Sequence, residues 1–181
     1  MVKQIVVVLG LVLGFAGAAA AQATDTPFQV QFVGKLKKKD AVHVSNSGAS
    51  STVANPQNGA LCANIYAFST AGPMIGCCAC KMAANSLSTV PIVADVLESP
   101  KPLPKSIVLK MMASTGSAGV CSPGTVGTGN NVLATGMLGW RNDEQFAPAT
   151  LSAAELTNLN AQCALLHPTP SICASCAEPT P

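Results

Sequence analysis

Period-two alternation of apolar and polar residues recurs along this chain, and one stretch repeats at helical spacing. In "FQVQFV", Phe28, Val30 and Phe32 alternate with Gln29 and Gln31, which predicts a strand with one buried face. "GKLKKKD" follows as a charged turn, and "AVHV" (Ala41 to Val44) reads as a returning strand. The next residues are loop formers, closing on an Asn58-Gly59 turn signal. "LCANIYAF" then places Leu61, Ala63, Ile65 and Ala67 on one face, and Cys62, Asn64, Tyr66 and Phe68 on the other. Both faces carry apolar bulk, so this segment is expected to be a central strand covered on two sides.

Further strands are expected in "LSTVPIVADVL", where Pro91 argues for an edge or a bend, and in "SIVLKMMAS" (Ser106 to Ser114). "NVLATGMLGW" (Asn131 to Trp140) reads as the last strand, with Gly136 and Gly139 marking a bulge or a close backbone approach. The proline-rich "SPKPLPK" between two of these cannot be helical. The helical stretch is "TLSAAELTNLNAQCALLHP". Ser152 and Glu155 form an S-x-x-E capping box, Leu156, Leu159, Cys163 and Leu166 make one apolar stripe, and Pro168 ends it. Several short strands with turn signals and one C-terminal helix predict a mainly β fold, a small disulfide-stabilised sandwich.

The N-terminus adds a compartment. A positive start at Lys3, the apolar run Ile5 to Phe15 and small residues ending at Ala21 and Ala23 have the layout of a secretory signal peptide. The apolar core is short for a membrane span. The expected organisation is a signal peptide at 1–23, a strand and lysine-rich segment at 24–41, and a single β-rich, cysteine-containing domain at 42–181. The Phe28–Val33 strand is expected to pack within its own chain rather than be donated to a neighbour. The expected location is secreted or extracytoplasmic, in a periplasm or at a cell surface.

That location decides how the cysteines read. The chain has eight: Cys62, Cys77, Cys78, Cys80, Cys121, Cys163, Cys173 and Cys176. An even count in an exported chain predicts four intramolecular disulfides. Neighbours Cys77 and Cys78 are not expected to bond to each other, and a Cys78–Cys80 closure would be strained. The cluster therefore reaches out to three partners among the other five. One bridge is expected to pin the helix through Cys163, and another to fix the tail, unless Cys173 and Cys176 close on each other. Cys173-x-x-Cys176 also has the spacing of a zinc knuckle, but thiols exported from the cell tend to be oxidised. A redox C-x-x-C would open a helix in a βαβ setting, and this pair follows the helix instead.

No catalytic, cofactor or metal site is expected. There is no G-x-S-x-G or H-E-x-x-H motif. His43 lies in a strand pattern, and His167 ends the helix, where it suits the dipole. Asp95, Glu98, Asp143 and Glu144 read as surface charge, and Asp143-Glu144 lacks the spaced ligands of a calcium loop. Tyr66 and Trp140 could stack sugars, but core packing is the expectation for both. Ten basic side chains face eight acidic ones, and four of the basic ones are Lys35, Lys37, Lys38 and Lys39. These read as a solvated turn or a charged edge, with contact to an anionic envelope or polymer as the functional alternative. A basic stripe for nucleic acid is absent from the main domain.

"VHVSNSGA", "GALCANIYAF", "GCCACKMAANSLSTV", "LSAAELTNLNAQCALL" and the terminal "CASC" together resemble a group of cysteine-rich secreted bacterial proteins. The resemblance runs from about Val42 to Cys176 and leaves the Phe28–Lys39 arm outside. It implies export and brings no functional residue with it. The function expected is that of a non-enzymatic structural, adhesive or binding protein at the cell surface or outside the cell. Its partners would be an envelope or extracellular polymer, or another copy of itself. The alternative is a small exported enzyme or metal-binding protein that uses the cysteine clusters.

Overall fold

The computed structural model describes residues 26–49, 59–117 and 119–176. The leader at 1–23, Asn58 of the turn signal and the last five residues lie outside them. The strands are β1 (Phe28–Val33), β2 (Ala41–Asn46), β3 (Leu61–Ser69), β4 (Met74–Met82), β5 (Ser86–Pro91), β6 (Ile107–Ser114), β7 (Met137–Arg141), β8 (Glu144–Gln145) and β9 (Ala147–Pro148). The helix, α1, is Ala153–Leu166, and single tighter or wider turns occur at Ile92–Val96 and Ala174–Cys176. The fold is mainly β.

Two antiparallel sheets stack face to face, one in the order β4-β3-β6-β1-β9 and the other β5-β2-β7-β8. β3 sits between β4 and β6, and both its faces are buried, as its two apolar faces predict. Leu61, Ala63, Ile65 and Ala67 face the inter-sheet core. Tyr66 and Phe68 face a second cluster that holds Leu159 and Cys163 of α1. The first sheet is thus covered on one side by the second sheet and on the other by the helix.

β1 corrects the simple reading of its alternation. Phe28 and Val30 pack toward α1, whereas Gln29 and Gln31 are buried and Phe32 is 62% exposed. An amide tolerates that burial because it replaces missing backbone partners. Gln29 Nε2 donates to the Met137 carbonyl at 2.7 Å, and Gln29 Oε1 accepts from the Gly139 amide at 3.1 Å. Gln29 therefore ties the two sheets together. β2 does not return beside β1: it crosses to the other sheet and pairs with β5 and β7. β5 is an edge strand ending at Pro91, where a missing donor costs least.

β7 begins only at Met137, because Asn131 is buried in the preceding loop and bonds across it. β7 is also not the last strand, since the chain turns back through β8 and β9. At Gly139 the close approach is real. A Cβ there would stand 1.8 Å from Met111 Cε, so the glycine makes room for a core methionine of the facing sheet. At the start of α1, Ser152 Oγ accepts from the Glu155 amide at 3.1 Å. The Glu155 carboxylate pairs with Lys110 on β6 rather than closing the capping box. Only Leu159 and Cys163 of the helical stripe are fully buried, and Leu166 lies 43% exposed beyond the sheet.

Candidate binding surface

β4 explains the crowding of its cysteines. Side chains on a strand alternate between faces, so Cys77 points to the helix side while Cys78 and Cys80 point to the inter-sheet side. Cys77 bonds Cys163 on α1, Cys78 bonds Cys173, Cys80 bonds Cys176, and on β3 Cys62 bonds Cys121. β4 is the outer strand of its sheet, and the tail lies along its free edge. The Ala79 amide donates to the Ser171 carbonyl, and the Cys173 amide donates to the Ala79 carbonyl. All eight sulfurs are consumed in these bridges.

Among the described residues no group of three or more His, Cys, Asp or Glu side chains could hold a metal ion. His167 Nδ1 stands 3.6 Å from Glu98 Oε1. Asp95 Oδ2 accepts from the Ser175 amide and so holds the tail. Asp143 and Glu144 lie at the β7–β8 turn, with Asn142 and Asp143 at positive φ. Tyr66 is fully buried, its hydroxyl donating to the Pro123 carbonyl at 2.7 Å, as core packing predicts. Burial pushes its phenol well above the ordinary range.

Trp140 departs from the core expectation. Met137, Gly139 and Arg141 take the inner face of β7, so Leu138 and Trp140 are left on the outer face. The register sets them in two cross-strand rows. Leu87, Ser45 and Leu138 form one; Thr89, His43 and Trp140 form the other. His43 stacks on Trp140 with ring centroids 5.8 Å apart and planes 26° from parallel. On its other side His43 Nδ1 is 3.0 Å from Thr89 Oγ1. Trp140 and His43 are half-buried, while Leu87, Thr89 and Leu138 are exposed. No carboxylate, lysine or arginine belongs to either row. The result is an uncharged face with an aromatic pair, a hydroxyl beside it and two aliphatic side chains.

The lysine segment has a defined conformation of its own. Lys35 turns the chain at φ 52°, Leu36 plugs into the core and Asp40 is buried. Asp40 Oδ2 accepts from Arg141 Nη2 at 2.8 Å and from the Lys37 amide at 3.0 Å. Burial alone would raise the Asp40 pKa. The Lys37 amide and the Arg141 guanidinium outweigh it and hold the carboxyl below the ordinary aspartate range. Lys35, Lys37, Lys38 and Lys39 all remain exposed.

Four disulfides fit a protein that folds in an oxidising compartment outside the cytoplasm, and among the described residues no helix is long and apolar enough to cross a membrane. Compared with protein-family models, with curated proteins and with solved structures, the chain matches none.

Proposed function

We propose that this chain is an exported, non-enzymatic binding module that acts at the cell surface or outside the cell, and that the outer face of the second sheet takes an uncharged polysaccharide. The observation that carries this reading is Trp140, half-buried on the outer sheet face and stacked on His43 instead of sunk in the core. Exposed aromatic rings pack against the apolar faces of sugar rings, and the neighbouring Thr89 and Ser45 hydroxyls supply polar contacts for their edges. The absence of formal charge in both rows favours a neutral ligand over an ionic one. Export is supported by the leader-like residues 1–23 and by the paired cysteines. In the same reading the chain is a relative of the cysteine-rich secreted bacterial proteins it resembles. With every sulfur bonded, no thiolate is left to serve a metal.

Trp140 is the only tryptophan in the chain, so its fluorescence reports on this face alone. Titrating the oxidised protein with soluble neutral glucans and mannans should shift or quench that emission with a saturable curve. His43→Ala should weaken the response without changing the melting temperature much. Emission that follows protein concentration and ignores every sugar would point to self-association and overturn the polysaccharide assignment. Sequencing of the exported form should find a start near Thr24; finding Met1 there would overturn the signal peptide.

A further inference from the structure

We propose that the lysine-bearing end of the sandwich docks on an anionic lipid bilayer, with Phe32 entering the interface beside the lysines. This surface is separate from the Trp140 face and shares with that reading only the premise that the protein meets the cell envelope.

Two connections meet at this end. The β1–β2 connection carries Lys35, Lys37, Lys38 and Lys39. The Leu36 amide donates to the Lys105 carbonyl at 2.9 Å, which brings Lys105 alongside, with Lys101 on the same connection. All six lysines are exposed. Among the described residues none of them forms an ion pair. Asp40, the acid nearest in sequence, is buried and taken by Arg141. The exposed acids on the adjoining connections are Glu98, Asp143 and Glu144, three against six exposed lysines, so positive charge dominates. The Leu36 plug and the Asp40–Arg141 pair hold the loop in place, so the charges are already gathered before any partner arrives.

Charge alone would suit any polyanion, and Phe32 selects among them. It is 62% exposed, although Phe28 and Val30 on the same face of β1 are covered. Its ring folds along the strand toward the lysines: a Cβ built at Gly34 would lie 3.4 Å from Phe32 Cε1. The apolar ring therefore adjoins the first residue of the basic loop. A polyanion can be held through the lysines alone and does not call for an apolar ring among them. A bilayer interface offers acyl boundary to the ring and anionic headgroups to the lysines, the pairing used by peripheral membrane proteins.

The test sediments the oxidised mature chain with phosphatidylcholine vesicles that contain or lack phosphatidylglycerol. Binding should require phosphatidylglycerol and fall as salt rises. Each lysine near such a surface strengthens binding about fivefold, so changing Lys35, Lys37, Lys38 and Lys39 together to Gln should weaken it by roughly 600-fold. Phe32→Ser should weaken vesicle binding severalfold while leaving retention on a soluble polyanion, dextran sulfate, unchanged. Unchanged melting temperatures in both variants would tie the losses to docking and not to unfolding. Equal binding to both vesicle types overturns the proposal. So does a Phe32→Ser variant that binds vesicles as well as the parent does, since the surface would then be a site for anionic polymers.

Discussion

Cys77 and Cys78 share one peptide bond and face opposite sides of β4, the first bonded to Cys163 on the helix and the second to Cys173 in the tail. This arrangement accounts for the adjacent cysteines: one strand staples two different covers, one on each face. Peptide mapping under non-reducing conditions should recover the pairs 62–121, 77–163, 78–173 and 80–176, and alkylation of the denatured, unreduced protein should label no thiol. Replacing Cys77 and Cys163 together by Ser should leave the other three bridges intact and lower stability by about 2–5 kcal/mol. Denaturant unfolding measures that difference.

Gly76, just before that pair, lies where the Ile92–Val96 turn crosses the strand. A Cβ on Gly76 would stand 1.9 Å from the Val96 carbonyl oxygen. The clash is with backbone, which cannot swing aside as a side-chain end can. Gly76→Ala should therefore cost about 3 kcal/mol. Gly124→Ala is the control, because its nearest neighbour is Ala164 Cβ at an ordinary 3.5 Å. Comparable losses in the two variants would contradict the close approach.

Asp40 and Arg141 make the stability depend on acid. The folded-state pKa of Asp40 lies below its ordinary 3.8, so its contribution is fully present above that value and is lost as pH falls through the lower folded value. Asp40→Asn leaves the buried guanidinium without its counter-charge and should cost about 3 kcal/mol at neutral pH. The gap between variant and parent should narrow once pH drops below about 4. Thermal melts across that range would show the convergence, and a constant gap would argue against it.

Tyr66 gives the opposite sign at the alkaline end. Its phenol is raised in the fold, so stability is intact below the ordinary tyrosine value near 10 and falls as pH climbs past it. As the only tyrosine in the chain, it can be followed by phenolate absorbance without overlap. The absorbance should rise only as the protein unfolds. Tyr66→Phe removes the donor to the Pro123 carbonyl and should cost about 1 kcal/mol.

Much of the architecture was legible because it rests on patterns of bulk. β3 shows apolar residues on both faces and proves central; Pro91 marks an edge; Ser152 caps the helix. β4 was harder, since "GCCACKM" is made of small and sulfur-bearing residues and lacks the branched alternation that marks a strand. β1 misleads by polarity, because Gln29 is drawn inward by the Met137 carbonyl and the Gly139 amide, partners contributed by a strand more than a hundred residues away. The same long-range logic hid the outward face of Trp140. Whether Trp140 packs inward or outward depends on which face of β7 meets the other sheet, and that parity is set by Gly139 yielding space to Met111. Nothing local to Trp140 announces it.

The tail bridges also decide how the protein would carry load. The Cys80–Cys176 bond spans 96 residues, so tension applied beyond Cys176 passes straight into β4 and bypasses β5, β6, β7 and α1. Those elements sit inside a covalent shortcut and cannot be drawn out while the sulfurs stay joined. Reducing the bridges would release roughly 330 Å of hidden contour length, the reach of that many extended residues. A molecule tethered at its C-terminal end would thus keep the segment between Cys80 and Cys176 from lengthening under a steady pull, and give it up only when its surroundings turn reducing.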